Sequence, residues 1–242
     1  MSLFRKAAIA IPLIMAGVGQ HAIGQLIYKA DQAVQGFYCD QKAPETTEIC
    51  IANEFGRTTQ QLTENTISEY SPTLSSDHSV VVFEFTGALY RLTLQSGKIE
   101  ELEGCQGLSL QEPSCSAATM RIVASGNSRS ESNDVKRRPQ LFLIPVSGGT
   151  PEQLTKPEDG AYYFPSWSPS GNSVCALRYV DGKTEAVVLS INSRETRSFS
   201  LDAKDGCVPT SLSWRFDGKR ILVLLSGRDS SICEISLEDG SQ

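Results

Sequence analysis

Short apolar runs alternate with compact polar turns along most of the chain, and one such unit recurs. In its clearest copy, apolar Tyr163–Pro165 leads into the turn 167–171, and the β-type run Val174–Leu177 follows. Proline fixes φ and glycine accepts the φ > 0 position, so the unit predicts strand, hairpin turn and strand. Outside the N-terminal segment, no window has the 3.6-residue apolar period of an amphipathic helix. The pattern therefore predicts an all-β chain.

The unit returns around the second of the chain's two tryptophans. Trp214 stands where Trp167 stands in the first copy, and weaker copies place Leu74 and Cys115 at this position. These four positions are 41, 52 and 47 residues apart. After each copy, a second pair of strands flanks a polar turn, so that each period holds about four short strands. Such a period is typical of a β-propeller blade.

The arrangement predicts a propeller of about five four-stranded blades. The longest period contains the polar insert Gly126–Arg138, which we expect to be a surface loop between the second and third strands of its blade. A degraded fifth copy lies at Gln32–Gly36. The last blade reaches Gln242 with only three strands, and propellers avoid open edges. We therefore expect Leu26–Tyr28 to add the missing outer strand and close the ring; a truncated or divergent copy of a longer propeller is the alternative.

The N-terminal residues predict an export signal. Arg5-Lys6 precede the apolar run Ala7–Val18, which is too short to cross a bilayer comfortably, and small residues place cleavage before Gln25. This predicts a signal peptide at 1–24 and a propeller domain at 25–242. The mature protein would be periplasmic or secreted, without stable membrane insertion. An uncleaved membrane anchor is the alternative.

The seven cysteines all follow this segment, where export permits disulfides. The candidate pairs are Cys39 with Cys50 and Cys105 with Cys115. Each pair would close a loop of about ten residues, and such a bridge contributes roughly 3 kcal/mol in the loop-entropy model. Seven is odd, so at least one thiol has no partner within the chain. The connectivity is otherwise open.

The net charge and the absence of certain motifs exclude several classes of partner and of catalytic site. Subtracting the two basic residues of the signal from the 22 basic residues leaves 20 basic against 28 acidic residues. The resulting net charge of −8 disfavours nucleic acid as a partner.

His78 is the only histidine of the mature chain, and G-x-S-x-G, C-x-x-C and H-x-x-x-H are absent. We therefore expect no catalytic triad, metal site or cofactor. Glu69, Glu112 and Asp159 lie near inner-strand starts, where acids could converge on a channel; ordinary surface acids are the alternative.

Two phrases, P-S-W-S-P-S-G at 165–171 and S-W-R-F-D-G-K at 213–219, resemble the TolB-type propeller repeat P-x-W-S-P-D-G-K. Gly148–Thr155 and Arg57–Thr63 look like the turn and outer strand of the same repeat. The resemblance covers about four repeats, Cys50 to Glu238, and specifies the blade type. It does not specify the function; TolB itself is a periplasmic protein-binding member of an envelope system, and the resemblance implies a matching location. TolB also carries an α/β domain before six blades, whereas here the predicted signal runs straight into strands, so the resemblance is to the repeat.

One face of such a propeller is the expected binding surface. Loops that join an outer strand to the next inner strand gather there with the loops between second and third strands. Tyrosine and arginine are favoured interface anchors. The residues that this rule places on the face are Tyr70, Tyr162, Tyr163, Lys136, Arg137 and Arg138. The alternatives are that the adjacent tyrosines pack between blades and that the basic triplet is a solvated loop end.

The sequence thus predicts a non-enzymatic monomer that binds protein or peptide partners on one face, in a cell-envelope complex. Two alternatives stay open at this point. One is a carboxylate-dependent enzyme or small-ligand receptor that uses the channel. The other is an incomplete propeller fragment that another chain completes.

Overall fold

The computed structural model describes residues 12–14, 23–27, 35–43, 46–53, 58–65, 67–129, 138–201, 206–228 and 230–242. Within these residues, the chain forms antiparallel sheets that follow one another in sequence. The first sheet contains β1 (Pro12–Ile14), β2 (Ile23–Ile27), β3 (Gln35–Ala43), β4 (Thr46–Asn53) and β5 (Thr58–Gln61). The second contains β6 (Tyr70–Leu74), β7 (Val80–Phe85), β8 (Ala88–Thr93) and β9 (Lys98–Glu101).

The third sheet contains β10 (Leu108–Cys115), β11 (Arg121–Ser128), β12 (Gln140–Pro145) and β13 (Glu152–Gln153). The fourth contains β14 (Ala161–Trp167), β15 (Ser173–Val180), β16 (Lys183–Ser190) and β17 (Thr196–Ser200). The fifth contains β18 (Val208–Trp214), β19 (Arg220–Ser226) and β20 (Ser231–Ser236). A 3₁₀ turn at Pro157–Asp159 precedes β14.

Apolar layers between successive sheets form the core. On β11, Ile122 packs toward the second sheet and Val123 toward the fourth. Successive side chains of a strand point to opposite faces, so a strand with neighbours on both sides must be apolar at every position. This requirement explains the unbroken apolar runs Val80–Phe83 and Val174–Leu177. The predicted all-β propeller fold is confirmed; of the five sheets in the described residues, three have the four strands predicted for every blade.

The two tryptophans occupy equivalent positions in neighbouring sheets. The Trp167 indole Nε1–H donates to the Ser114 carbonyl at 3.0 Å, and the Trp214 Nε1–H donates to the Ser166 carbonyl at 3.1 Å. Each acceptor lies on the inner strand of the preceding sheet, and each indole is 6% exposed. The repeat inferred from the tryptophan spacing is therefore confirmed.

A second contact recurs five residues before the tryptophan position. The backbone N–H groups of Glu69, Leu110 and Tyr162 donate to carbonyls at, or just before, the start of the second-to-last strand of the preceding sheet, at 3.1, 2.8 and 2.8 Å. In the fifth sheet this position is Pro209, which has no N–H. The described residues join that sheet to the fourth through the Trp214 indole, an apolar cluster and a hydrogen bond from the Gln242 side-chain amide to the Ser200 carbonyl instead.

The Q-L-T phrase of the outer strand also has one structural role in two sheets. The Thr155 hydroxyl accepts the Leu141 N–H at 3.0 Å and donates to Gln140 Oε1 at 2.8 Å. In the first sheet, the Thr63 hydroxyl accepts the Ile49 N–H at 2.8 Å. The threonine, two residues after the outer strand, thus ties the chain to the neighbouring strand of the same sheet.

The predicted ring closure by Leu26–Tyr28 is wrong, because β2 pairs with β3 and not with β20. Leu26 lies opposite Gly36 in this register. Pairing with the next strand in sequence closes a shorter loop, and therefore loses less chain entropy, than pairing with the C-terminal sheet. In the described part of the chain, the fifth sheet keeps three strands. The predicted cleavage before Gln25 falls inside β2 and stays a prediction.

The polar insert joins the second and third strands of the third sheet, as predicted, but it is shorter than expected. Gly126–Ser128 extend β11, and β12 begins at Gln140. Gly126 lies opposite Leu110 in the strand pair. Only glycine fits there, because a Cβ atom at this position would clash with the Ser109 carbonyl. Residues 130–137 lie outside the described part.

The candidate disulfide between Cys105 and Cys115 is wrong. Both are thiols, and Cys105 lies in the turn before Leu108 whereas Cys115 ends β10. A strand of this length separates its ends by about 23 Å, at 3.3 Å per residue, while a disulfide requires Cα atoms within about 7 Å. The Cys39 side chain lies outside the described part; the register aligns Cys39 with Ile49 rather than with Cys50, and this pair stays a prediction.

Candidate partner-binding face

The upper face of the propeller is the side at which the inner strands β6, β10, β14 and β18 begin. Because the sheets are antiparallel, the second strands end there: Tyr70 lies opposite Glu84, and Ala161 lies opposite Tyr179. The loops between second and third strands therefore reach the same side. This is the geometry from which the sequence predicted a binding surface.

Large apolar and aromatic side chains are exposed on the upper face. They are Tyr70 at 37%, Tyr179 at 50%, Val208 at 59% and Ile232 at 64% exposure. The lower face, where the inner strands end, exposes Met120 and Phe216. Exposed aromatic and large apolar side chains are the residue types that anchor protein interfaces.

Tyr162 is not a surface residue. Its side chain is 2% exposed and packs with Trp167 and Val174 between the third and fourth sheets. Burial raises the pKa of its phenol. The strand alternation explains the difference: Tyr162 and its neighbour Tyr163 point to opposite faces of β14, and Tyr163 is half-buried. The expectation that Tyr162 binds a partner is therefore wrong, and its role is packing.

Arginines flank the exposed aromatic residues on this face. Arg138 is exposed, and its guanidinium donates to the Pro157 carbonyl at 3.2 Å. Arg129 is also exposed and donates to the Gly87 carbonyl at 2.8 Å, which places it beside the β7–β8 turn. Lys136 and Arg137 lie outside the described residues, so their proposed contacts stay predictions.

Three of the exposed residues were missed by sequence reasoning. The exposure of Tyr179 could have been predicted, since Tyr179 lies just before the turn Asp181-Gly182. That turn joins the second and third strands of its sheet, and such loops lie on the upper face. The exposure of Val208 and Ile232 could not have been predicted, because apolar residues inside strands are ordinarily buried. Both lie on the fifth sheet, at 59% and 64% exposure.

A bulge interrupts three inner strands at one repeated position, three residues before the tryptophan position. Ser71, Glu112 and Phe164 have φ of 51°, 54° and 52°, and each precedes a proline. The pairing register skips this dipeptide in each strand. Bulges are typical of the rims of β structures, where they redirect a side chain. The bulged N–H has no partner in the ladder and needs another acceptor.

Carboxylates supply that acceptor in two of the three bulges. The Phe164 N–H donates to Glu112 Oε2 at 2.6 Å, and the Glu112 N–H donates to Glu84 Oε2 at 3.3 Å. Burial raises the pKa of Glu112 to about 7, and the Glu84 carboxylate adds to this shift. Burial likewise raises the pKa of Glu84. Sequence reasoning named Glu112 but missed Glu84, which lies in an apolar strand without a motif around it.

The three acids proposed for channel chemistry do not converge. Glu69 is fully buried, and its carboxylate accepts the Thr63 hydroxyl at 2.8 Å and the Asn65 amide at 2.7 Å. Burial raises the pKa of Glu69, and the nearby Glu48 raises it further. Glu112 instead interacts with Glu84, and Asp159 is exposed in the 3₁₀ turn.

Two properties of the described residues complete the description of the site. No group of three or more His, Cys, Asp or Glu side chains in them could hold a metal ion. In the same part of the chain, no helix is long and apolar enough to cross a membrane.

The chain shares its fold with solved β-propellers at low sequence identity. A protein assigned as TolB from Agrobacterium tumefaciens matches with a TM-score of 0.64 and 19% identity, over 75% of this chain and 63% of its own. TolB from Acinetobacter baumannii matches with a TM-score of 0.66 and 12% identity, over 95% and 60%. A structure of a nidogen/laminin complex matches with a TM-score of 0.64 and 9% identity, over 97% and 90%.

At these identities the likeness shows the fold, that of TolB proteins and other β-propellers. The chain spans about three fifths of the length of the two TolB chains. No known family profile matches the chain, and no curated protein sequence does.

Proposed function

We propose that this protein is an exported propeller that binds protein or peptide partners on its upper face, as part of a cell-envelope complex. The observation that supports this proposal is the group of exposed large side chains there, led by Tyr70 and Tyr179. Aromatic side chains bury much area at little entropic cost, and arginines such as Arg129 and Arg138 add directed hydrogen bonds. The protein acts as a monomer, without a cofactor or a nucleic-acid partner.

Two lines of support come from the chain itself. The predicted signal at 1–24 supports a periplasmic or secreted location, and the acidic net charge supports exclusion of nucleic acids. The fold is shared with TolB proteins and with propellers in complexes. Binding is also favoured over carboxylate catalysis, because Glu84 and Glu112 use their carboxylates to hold backbone N–H groups.

The test is site-specific photocrosslinking in intact cells that express the full chain. A photoreactive residue replaces Tyr179 or Tyr70 on the upper face, and Phe216 on the lower face serves as a control of similar exposure and chemistry. We expect discrete covalent adducts with other proteins from positions 179 and 70, and none from 216. Adducts from 216 alone, or none from any position, would refute the assignment of this face.

A matched pair of variants tests the energetic contribution. Tyr179→Ala removes an exposed aromatic side chain from the upper face, and Phe216→Ala removes one from the lower face. We expect the first to reduce partner recovery at least tenfold, equivalent to about 1.4 kcal/mol, and the second to leave it unchanged. Equal recovery for both variants would contradict the proposal.

A further inference from the structure

Glu84 and Glu112 connect three consecutive sheets through their carboxylates. Glu84 lies on β7 of the second sheet and accepts the N–H of Glu112, on β10 of the third. Glu112 in turn accepts the N–H of Phe164, on β14 of the fourth. Both N–H groups belong to bulges that the ladders leave unpaired. The two carboxylates are therefore structural links between sheets and not surface charges.

No cation balances this pair in the described residues. Glu84 lies on β7 and Tyr163 on β14, and these are the titratable groups coupled to Glu112. Of the other strands packed against β10, β8 carries Arg91, which forms its ion pair with Glu100 instead.

The remaining neighbours of β10 add no balancing charge. Tyr70 on β6 and Arg121 on β11 make no ion pair with either carboxylate. Burial is the main cost of ionising Glu112, the Glu84 charge adds to it, and a proton on Glu112 removes both effects.

We propose that the Glu84–Glu112 pair is a proton-operated clasp, in which a proton on Glu112 keeps the second, third and fourth sheets together and its loss loosens their junctions. A protonated Glu112 keeps one oxygen as acceptor for the Phe164 N–H. When both groups are ionised, the cost of burying charge and the repulsion between the two groups favour movement of the carboxylates into water. The bulged N–H groups then lose their acceptors, and the strained backbone at Glu112 and Phe164 is free to relax.

The direction of the pH effect follows from the pKa of Glu112. A carboxyl whose pKa is raised by folding binds more protons in the folded state, so its contribution to stability is complete below the unfolded value of about 4.5. That contribution is lost as the pH rises through about 7. The difference between the two values corresponds to at most about 300-fold in the folding equilibrium constant. The clasp is thus closed at mildly acidic pH and opens above neutrality.

The test compares hydrogen exchange of the wild-type protein with that of Glu112→Gln at pH 5.5 and pH 8, corrected for intrinsic exchange rates. Glutamine keeps an acceptor for the Phe164 N–H but carries no titrating charge. In the wild type, we expect protection of the segments 108–115 and 161–167 to fall about tenfold or more between the two pH values, because local opening follows deprotonation. In E112Q, we expect protection that does not change with pH.

Two further measurements keep the proposal falsifiable if E112Q folds poorly. Carbon-13 NMR of the glutamate carboxyls in the wild type reports the titration directly, and Glu112 should titrate near pH 7. Glu84→Gln should lower that midpoint, whereas Glu158→Gln, an exposed acid in the 3₁₀ turn, should leave it unchanged. A midpoint near the ordinary value, or the same pH dependence of protection in wild type and E112Q, would overturn the clasp.

Discussion

Trp214→Phe tests the inter-sheet contact that organises the repeat. The substitution keeps an aromatic ring in the cluster but removes the N–H that donates to the Ser166 carbonyl at 3.1 Å. Loss of this hydrogen bond leaves the Ser166 carbonyl without its indole donor and costs about 1–2 kcal/mol. The smaller ring leaves a void in the layer between the fourth and fifth sheets, which adds roughly 1 kcal/mol. We therefore expect the free energy of unfolding to fall by about 2–3 kcal/mol.

The equivalent substitution, Trp167→Phe, should have nearly the same effect, because its indole makes the same contact at 3.0 Å. Urea unfolding followed by far-ultraviolet circular dichroism measures both losses. Each variant also keeps one tryptophan, whose fluorescence reports on a single junction. The control is Phe216→Ala, since Phe216 is exposed and lies two residues after Trp214 in the sequence; it should change stability by about 0.5 kcal/mol or less. Losses as small as this control in both tryptophan variants would refute the reasoning.

Three other predictions test local features. Gly126→Ala should destabilise by about 2–3 kcal/mol, because its Cβ would lie 2.3 Å from the Ser109 carbonyl, while Gly107→Ala, with open space around it, should be neutral; thermal unfolding compares the pair. Thr155→Val should cost about 2 kcal/mol, since its hydroxyl makes two buried hydrogen bonds, and unfolding in urea measures this; an unchanged midpoint would contradict the role given to the Q-L-T phrase. Burial raises the pKa of the Cys115 thiol to about 12, so iodoacetamide at pH 8 should label it only in urea, as mass spectrometry can show, and labelling of the native protein would contradict its burial.

The repeat could be predicted from sequence because its markers are chemically distinctive. Tryptophan is rare, and a proline two residues before the repeated position marks a bulge in three sheets, at Pro72, Pro113 and Pro165. Turn residues likewise report on backbone angles that few side chains accept. These signals depend on local structure, and local structure can be inferred from neighbouring residues.

What the sequence could not predict depends on distant partners. Tyr162 and Tyr163 differ in burial because of the face of β14 on which each lies, and that face is fixed by register. Glu84 was missed because its partner, the Glu112 N–H, is 28 residues away. The pairing of β2 with β3 depends on competition between two edges, which no residue pattern records. The candidate site was therefore located by face, while its individual members required the structure.

Pro209 affects the order in which the sheets of the protein unfold. The second, third and fourth sheets are each tied to the sheet before them by a main-chain hydrogen bond at the equivalent position, and proline removes that bond for the fifth. Segments with few protected links to their neighbours open at lower free energy than the core of a protein. Residues 208–236 should thus detach as the first subglobal unit, well before global denaturation. Limited proteolysis should begin there, and the three sheets ahead of it should survive as a protected remnant.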